Sequence, residues 1–103
     1  MRSTIVFIFI SLFISANAQQ LIIKGTVTDH NTNKPLSFAN IRVFGSNLGS
    51  AANIVGEYEL KIPKGTYKLI ASYIGYYSDT LEVYLEQNLY DINFSLIQTK
   101  VDL

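Results

Sequence analysis

The chain has 103 residues, balances 8 lysines and arginines against 8 aspartates and glutamates, and contains no cysteine. This length predicts one small domain, and the zero net charge leaves no basic excess to neutralise phosphates, which excludes a nucleic-acid-binding function. Without cysteine there is no disulfide framework and no residue for a cysteine-linked lipid anchor, so we expect the domain to depend on its packed core alone.

The N-terminus has the pattern of a secretory signal peptide. Arg2 precedes an apolar-rich run over residues 5–14. Ala16 and Ala18 then supply the small residues of a cleavage site. A membrane anchor is the alternative interpretation, but a core of about ten apolar residues is short of the roughly 20 that a spanning helix needs. The sequence therefore predicts cleavage after Ala18 and export of the remaining chain.

Apolar residues recur at every second position from residue 20 onward, which is the period of a strand with one buried face. The alternating segments are, in chain order, 23–29, 38–44, 57–62, 66–73, 80–86 and 89–96. Their predicted inward-facing residues are Ile23, Gly25, Val27, Ala39, Ile41, Val43, Tyr58, Leu60, Ile62, Tyr67, Leu69, Ala71, Tyr73, Leu81, Val83, Leu85, Tyr90, Ile92, Phe94 and Leu96. No segment has a convincing helical period, so the chain is predicted to be all-β.

Short turn segments separate the predicted strands. They lie at residues 30–35, 63–65, 74–79 and 86–88, and they contain Gly, Pro, Asn, Asp or Ser residues typical of turns. The glycine-containing segment 45–56 is predicted to cross between sheets, with a short strand around residues 50–53. Gly25, inside a strand, indicates a close backbone approach or a bulge. This spacing favours a small antiparallel β-sandwich of about seven strands.

One turn has the beginning of a calcium-loop pattern. Residues 29–33, DHNTN, match the first ligand positions of such a loop. The loop needs Gly at its sixth position and Glu at its twelfth, where this chain has Lys34 and Asn40. Because the lysine opposes a cation, we expect Asp29 to cap the amides of its own turn instead.

The remaining polar residues do not suggest a catalytic or metal site. His30 is the one histidine of the chain, whereas a catalytic zinc site takes three protein ligands and a hydrolytic triad needs an oriented base. Glu57 and Glu59 share a predicted strand face with Lys61, which favours a solvated face over a pair of catalytic carboxylates. We therefore expect no enzymatic activity, no catalytic residue, no metal and no cofactor.

The tyrosines divide into a core group and an exposed group. The predicted core tyrosines are Tyr58, Tyr67, Tyr73 and Tyr90, each with its hydroxyl reaching the rim. The predicted contact surface consists of Tyr76, Tyr77 and Tyr84, because exposed aromatic rings in a polar surround can bind sugars or protein partners.

Short motifs follow one another in a distinctive order along residues 23–83. They are GTVTD at 25–29, Pro35, ANI at 39–41, Gly49, GEY at 56–58, PKGTYKL at 63–69 and YIGY at 73–76. This order resembles the carboxypeptidase D regulatory-like domain, a transthyretin-like β-sandwich. The chain departs from that family at residues 52–56, where the family usually has T-D-x-[DN]-G and this chain has ANIVG.

The resemblance implies a setting as well as a fold. A signal peptide followed directly by this domain is similar to the N-terminal extension of TonB-dependent outer-membrane receptors, which import glycans, siderophores and peptides. There the domain faces the periplasm before the plug and barrel. The ending VDL at residues 101–103 is similar to the lead-in of the receptor's energy-coupling segment. The family's other setting, beside a metallocarboxypeptidase, also implies a non-catalytic role.

Two hypotheses about function follow. The first is an accessory domain of a nutrient receptor, in contact with the receptor or a periplasmic protein, and associated with the membrane only through that receptor. The alternative is a free-standing secreted or periplasmic binding module with carbohydrate as its ligand. The predicted divisions of the chain are the signal peptide over residues 1–18, the sandwich over 19–97, and a C-terminal tail or linker over 98–103.

Overall fold

The computed structural model describes residues 19–100. The predicted signal peptide and the VDL ending lie outside the described residues. The described part forms the strands β1 (Gln20–Asp29), β2 (Asn40–Val43), β3 (Gly49–Ala51), β4 (Glu57–Pro63), β5 (Gly65–Ser72), β6 (Asp79–Leu85) and β7 (Phe94–Leu96). Within these residues, no helix has the length and apolar character needed to cross a membrane.

The strands form two sheets that enclose one core. The first sheet has the order β4-β1-β7 and the second the order β3-β2-β5-β6. Four of the pairings are antiparallel, whereas β7 runs parallel to β1. The predicted antiparallel β-sandwich is confirmed, with the addition of this one parallel pair at a sheet edge.

The core is built from the inward positions of the predicted alternation. The residues buried as predicted are Ile23, Val27, Ala39, Ile41, Val43, Tyr58, Leu60, Ile62, Leu69, Ala71, Val83, Leu85, Phe94 and Leu96. Leu36 and Ala52, from connecting segments, complete it. Each large aliphatic or aromatic side chain buried in this way contributes about 1.5–3 kcal/mol to folding. This burial is the main favourable term for a chain without disulfides.

The prediction that Tyr90 faces inward is wrong, because its side chain is 57% exposed. The sequence pattern predicts an unbroken alternation through residues 89–96. Asp91 instead adopts a left-handed backbone with φ 59°, which interrupts the strand. The Ile92 N–H then donates a 3.0 Å hydrogen bond to the Lys24 carbonyl, so the chain follows β1 without a regular ladder before β7 begins.

Gly25 lies where this last segment approaches β1 most closely. A Cβ atom at this position would lie 1.7 Å from the carbonyl oxygen of Ile92, so only glycine fits without displacing backbone. The same carbonyl accepts a 2.6 Å hydrogen bond from the Tyr58 hydroxyl. Burial raises the pKa of Tyr58 above its ordinary value. The predicted close backbone approach at Gly25 is confirmed.

The two ends of the sandwich carry different parts of the chain. At one end β1, β5 and β7 finish and β2, β4 and β6 begin. We call this the exit end; it consists of segments 30–39, 52–56, 73–78 and 97–100. At the opposite end, Gln20 pairs with Pro63. The described chain therefore enters at one end of the sandwich and reaches its last residues at the other.

Candidate interaction surface

The connection between β5 and β6 forms a tight corner at the exit end. The Tyr76 N–H donates a 3.0 Å hydrogen bond to the Tyr73 carbonyl, which closes a turn around Ile74 and Gly75. Gly75 has φ 86°, a left-handed conformation that a residue without Cβ adopts readily. Ile74 is 96% exposed, whereas the rings of Tyr73 and Tyr76 meet edge to face against the core, 5.5 Å between centroids. The turn therefore presents an aliphatic side chain to solvent.

A buried carboxylate connects this corner to the turn after β1. Asp29 is 6% exposed, and its Oδ2 accepts a 2.5 Å hydrogen bond from the Tyr76 hydroxyl. Its Oδ1 accepts hydrogen bonds from the N–H groups of Asn31 and Thr32, at 2.7 and 2.9 Å. The bond from Tyr76, followed by that from the Thr32 amide, lowers the pKa of Asp29 below its ordinary value, although burial opposes the shift. The same bond raises the pKa of Tyr76.

The capped turn explains the calcium-like DHNTN pattern. Both carboxylate oxygens of Asp29 accept hydrogen bonds from within the chain. Asn33 adopts φ 60°, and its N–H donates a 2.9 Å hydrogen bond to the Asp29 carbonyl. The predicted amide cap is confirmed. Among residues 19–100, no group of three or more His, Cys, Asp or Glu side chains is placed to hold a metal ion.

His30 makes a surface hydrogen bond beside the same turn. Its Nδ1 lies 3.0 Å from the Ser95 hydroxyl on β7, and both side chains are exposed. A nucleophilic serine needs a base oriented by a third group, and its site works best when water is excluded. This pair lies on an open strand face, so we assign it a structural contact between the turn and β7.

Glu57 and Glu59 lie exposed on the outer face of β4, as predicted for a solvated face. Glu59 lies 3.8 Å from the ammonium groups of both Lys24 and Lys61. Exposed ion pairs of this kind contribute little to stability. The two carboxylates line an open polar cleft of about 390 Å³, which lacks the mostly apolar lining of a typical small-molecule site.

The tyrosines of the predicted contact surface do not share one surface. Tyr76 is only partly exposed, contrary to the expectation, because it packs against the core and bonds to Asp29. Tyr77 is exposed at the exit end. Tyr84 is exposed on the outer face of β6, opposite Thr66 and toward the other end. A binding role for these tyrosines stays a prediction.

Exposed apolar side chains instead cluster at the exit end. We call this cluster the apolar patch; it consists of Phe38, Ile54, Val55, Ile74, Tyr77 and Ile97. The segments that carry it, 35–40, 51–56, 72–78 and 97–99, contain no Asp, Glu, Lys or Arg. Hydrogen bonds connect these segments, from Phe38 N–H to the Asn53 carbonyl and from Tyr77 N–H to the Ile97 carbonyl. An apolar surface depleted in charge has the composition of the centre of a protein interface.

Phe38 occupies an unfavourable backbone conformation within this patch. Its φ of 64° places a bulky residue in the left-handed region, at a cost of about 1–2 kcal/mol. Its side chain is 65% exposed, so packing inside the domain offsets little of that cost. The neighbouring Ser37 hydroxyl donates a 2.5 Å hydrogen bond to the Ile54 carbonyl, which holds the two segments together. Backbone strain of this kind collects at functional sites.

A groove of about 690 Å³ opens beside Phe38. It is lined by Ser37, Phe38, Asn40, Ser72, Tyr73 and Ile74. Phe38, Ile54 and Ile74 are not among the residues of the predicted contact surface. A usable signal was present, because Ile54 and Ile74 are large apolar residues in predicted connecting segments that also contain Gly, Ser or Asn residues typical of turns.

The end of the described chain pairs with the corner next to the apolar patch. The Thr99 N–H and hydroxyl donate to the Gly75 carbonyl at 2.8 and 2.9 Å. Tyr76 and Gln98 form an antiparallel bridge. Gln98 and Thr99, which belong to the predicted C-terminal tail, thus lie against the sandwich. The chain reaches its last described residues beside Ile74.

Known proteins share the sequence pattern of this chain. A family model for the CarboxypepD_reg-like domain matches residues 23–103. The TonB-dependent receptor SusC of Bacteroides thetaiotaomicron is 35% identical over 80 residues, which cover 78% of this chain and 8% of that receptor. The chain therefore spans less than a tenth of the length of this curated relative.

Solved structures share the fold at low sequence identity. A chain of a type II cohesin–X-dockerin complex from Acetivibrio cellulolyticus matches with a TM-score of 0.60 and 13% identity, over 75% of this chain and 55% of that chain. A DUF3823 family protein from Bacteroides ovatus matches with a TM-score of 0.56 and 13% identity, over 75% and 44%. These likenesses show the β-sandwich fold. From the family match and the identity to the receptor, the chain belongs to the CarboxypepD_reg-like domain family, the carboxypeptidase D regulatory-like family that its motifs resemble.

Proposed function

We propose that this domain is a non-catalytic accessory module at the N-terminus of a TonB-dependent outer-membrane nutrient receptor, where it acts through protein contacts. The observation that carries the proposal is the 35% identity to the receptor SusC across most of this chain, in a region that makes up only 8% of that receptor. In this proposal residues 1–18 are removed on export, and the domain faces the periplasm, held at the membrane only by the receptor that follows it.

The geometry of the domain favours binding to a protein partner over catalysis. Its histidine and its outer-face glutamates are exposed and bonded to ordinary surface partners. The one carboxylate buried among residues 19–100, that of Asp29, is held by Tyr76 and by the amides of its own turn, so we assign it a structural role. The unusual surface feature is the apolar patch, which is suited to a protein partner.

The proposal is tested by removing the domain from the complete reading frame that encodes it. Residues 19–100 are deleted in frame, with the signal peptide and everything after Lys100 retained. We expect the receptor to reach the outer membrane in normal amount, measured by immunoblot of membrane fractions. Growth on the receptor's nutrient as sole source is expected to fall, because a contact that supports uptake is lost.

A matched variant distinguishes a role in protein contacts from a catalytic role. Glu57→Gln and Glu59→Gln together remove the carboxylate charges of the outer cleft, and Gln at position 57 keeps an oxygen that can accept the hydrogen bond from Asn53 of the exit end. We expect this double variant to support normal growth. Normal growth of the deletion strain would contradict an accessory role in uptake, and a growth defect in the double variant would contradict a non-catalytic one.

A free-standing exported module that binds carbohydrate is the second candidate. The groove beside Phe38 favours it, because the rings of Phe38 and Tyr73 stand next to the amide of Asn40 and the hydroxyl of Ser72. Such a combination of an aromatic face and hydrogen-bonding groups suits a sugar. Residues 19–103 on a glycan array test it directly. Binding that Phe38→Asn abolishes and Tyr84→Ala preserves would support this candidate, and no binding would exclude it.

A further inference from the structure

We propose that the apolar patch is the docking surface for the receptor polypeptide that follows residue 103 in the same chain. This inference rests on the proposed function and deepens it, because it names the surface of contact and the partner. The partner is a folded part of the same molecule with an apolar, charge-poor surface of its own. It is neither a second copy of this domain nor a separate periplasmic protein.

The distribution of exposed apolar side chains supports this assignment. Of the large hydrophobic residues exposed in the described chain, six lie in the segments of the exit end. Of the remaining four, Phe44 and Leu48 share the connection between β2 and β3, and Tyr84 and Tyr90 lie on other segments. A single exposed hydrophobe needs no explanation, but a group of exposed apolar side chains on adjoining segments marks a contact site. The exposed apolar side chains of residues 19–100 are thus concentrated at one end of the sandwich.

The position of the chain end identifies the partner. Thr99 is hydrogen-bonded to Gly75, the residue directly after Ile74, so the polypeptide leaves the described structure within the patch. Any domain that follows on the same chain is therefore tethered beside these side chains. The tether makes docking intramolecular, and its length and stiffness set the effective concentration of the partner. A second copy or a separate protein gains no such advantage from this location.

The backbone of Phe38 gives a further, independent reason. The fold keeps a bulky residue at φ 64° with its ring in solvent, although asparagine or glycine would adopt this conformation with less strain. A phenylalanine here is unfavourable for the isolated domain. Contact of the Phe38 ring with a partner would supply favourable free energy that offsets this backbone strain.

Photo-crosslinking in the intact receptor tests the inference. The complete reading frame is expressed in its native outer membrane with benzoylphenylalanine in place of Ile74. Matched chains carry the crosslinker in place of Tyr84, which is exposed on the sheet face, or Lys64, at the opposite end. After irradiation, the linked peptides are identified by mass spectrometry.

We expect the Ile74 crosslinker to link to peptides of the same polypeptide beyond residue 103, and the Tyr84 and Lys64 crosslinkers to do so several-fold less. Phe38→Asn should lower the yield at Ile74 several-fold without unfolding the domain. Links from Ile74 mainly to a second copy, to another protein or to lipid would overturn the inference, as would equal yields at all three positions.

The outcomes separate this inference from the proposed function. A reading frame that stops at Leu103 overturns both, because no receptor polypeptide follows. A long receptor frame, with a growth defect on deletion of the domain but without the Ile74 crosslink, overturns the docking surface alone.

Discussion

The hydroxyl of Tyr76 donates a 2.5 Å hydrogen bond to the buried carboxylate of Asp29, across 47 positions of sequence. This bond ties the corner before β6 to the turn after β1. The corner in turn pairs with the end of the described chain, through Gly75 and Thr99. The loops of the exit end are therefore linked to one another, and the apolar patch is displayed on a connected surface.

Removing this hydrogen bond should destabilise the domain. Tyr76→Phe leaves one oxygen of the buried Asp29 carboxylate without its protein donor, and unsatisfied buried acceptors are costly. We expect a melting temperature several degrees below that of the unmodified domain, measured by thermal unfolding of residues 19–103. Tyr77→Phe, at the exposed neighbouring tyrosine, should leave the melting temperature unchanged. Equal effects of the two substitutions would show that the Asp29 bond is not stabilising.

The depressed pKa of Asp29 makes stability depend on pH on the acid side. In the folded state this carboxyl holds its proton less tightly than in the unfolded chain, where its ordinary pKa is 3.8. The stabilisation that this shift gives the folded state is complete above the unfolded pKa. It is lost as the pH falls through the lower pKa of the folded state. Urea unfolding from about pH 7 to about pH 2 should therefore show a smaller acid-side loss for Tyr76→Phe than for the unmodified domain. Parallel pH profiles would contradict the assignment.

Relief of backbone strain at Phe38 should stabilise the isolated domain. Phe38→Asn places a residue that tolerates the left-handed region at φ 64°, and little packing is lost because the ring is largely exposed. We expect the free energy of unfolding in urea to rise by up to about 1 kcal/mol. Phe38→Ala, which removes the ring but keeps the strain, is the control and should give no increase. A loss of stability in the asparagine variant would mean that the ring packs within the domain.

A methyl group at Gly25 should disrupt the approach of the last segment to β1. In Gly25→Ala the added Cβ would overlap the Ile92 carbonyl oxygen, so backbone must move and the Tyr58 hydrogen bond is disturbed. We expect a loss of about 3 kcal/mol or more in unfolding free energy. Gly75→Ala meets nothing within 4 Å and costs only the left-handed backbone penalty, about 1–2 kcal/mol. The prediction fails if the two variants are equally stable.

The alternation of the sequence was sufficient to predict the strands and most of the core. Tyr58, Leu60 and Ile62 alternate with charged residues along β4, and all three are buried. The period fails where the backbone leaves the strand conformation. Asp91 adopts a left-handed conformation, which Asp tolerates but which its presence in a sequence does not predict. The prediction that Tyr90 lies in the core is therefore wrong.

The contacts of the exit end could not be predicted from the sequence, because they join distant segments. The motifs singled out both Asp29 and Tyr76, but only the fold shows that one side chain donates to the other. Similarly, Phe38 lies in a segment of strand-like composition, and its positive φ depends on how the chain enters β2. Local patterns predict elements, whereas this surface depends on how the elements meet.

The most direct test of the receptor proposal is the identity of the native polypeptide that carries this domain. An antibody against residues 19–100 is used to isolate that polypeptide from fractionated cells, and its N-terminal residue and intact mass are measured. We predict a protein of the outer-membrane fraction that begins at Gln19 and is many times larger than this 103-residue chain. A polypeptide no larger than this chain, recovered from the periplasm or the medium, would contradict the proposal.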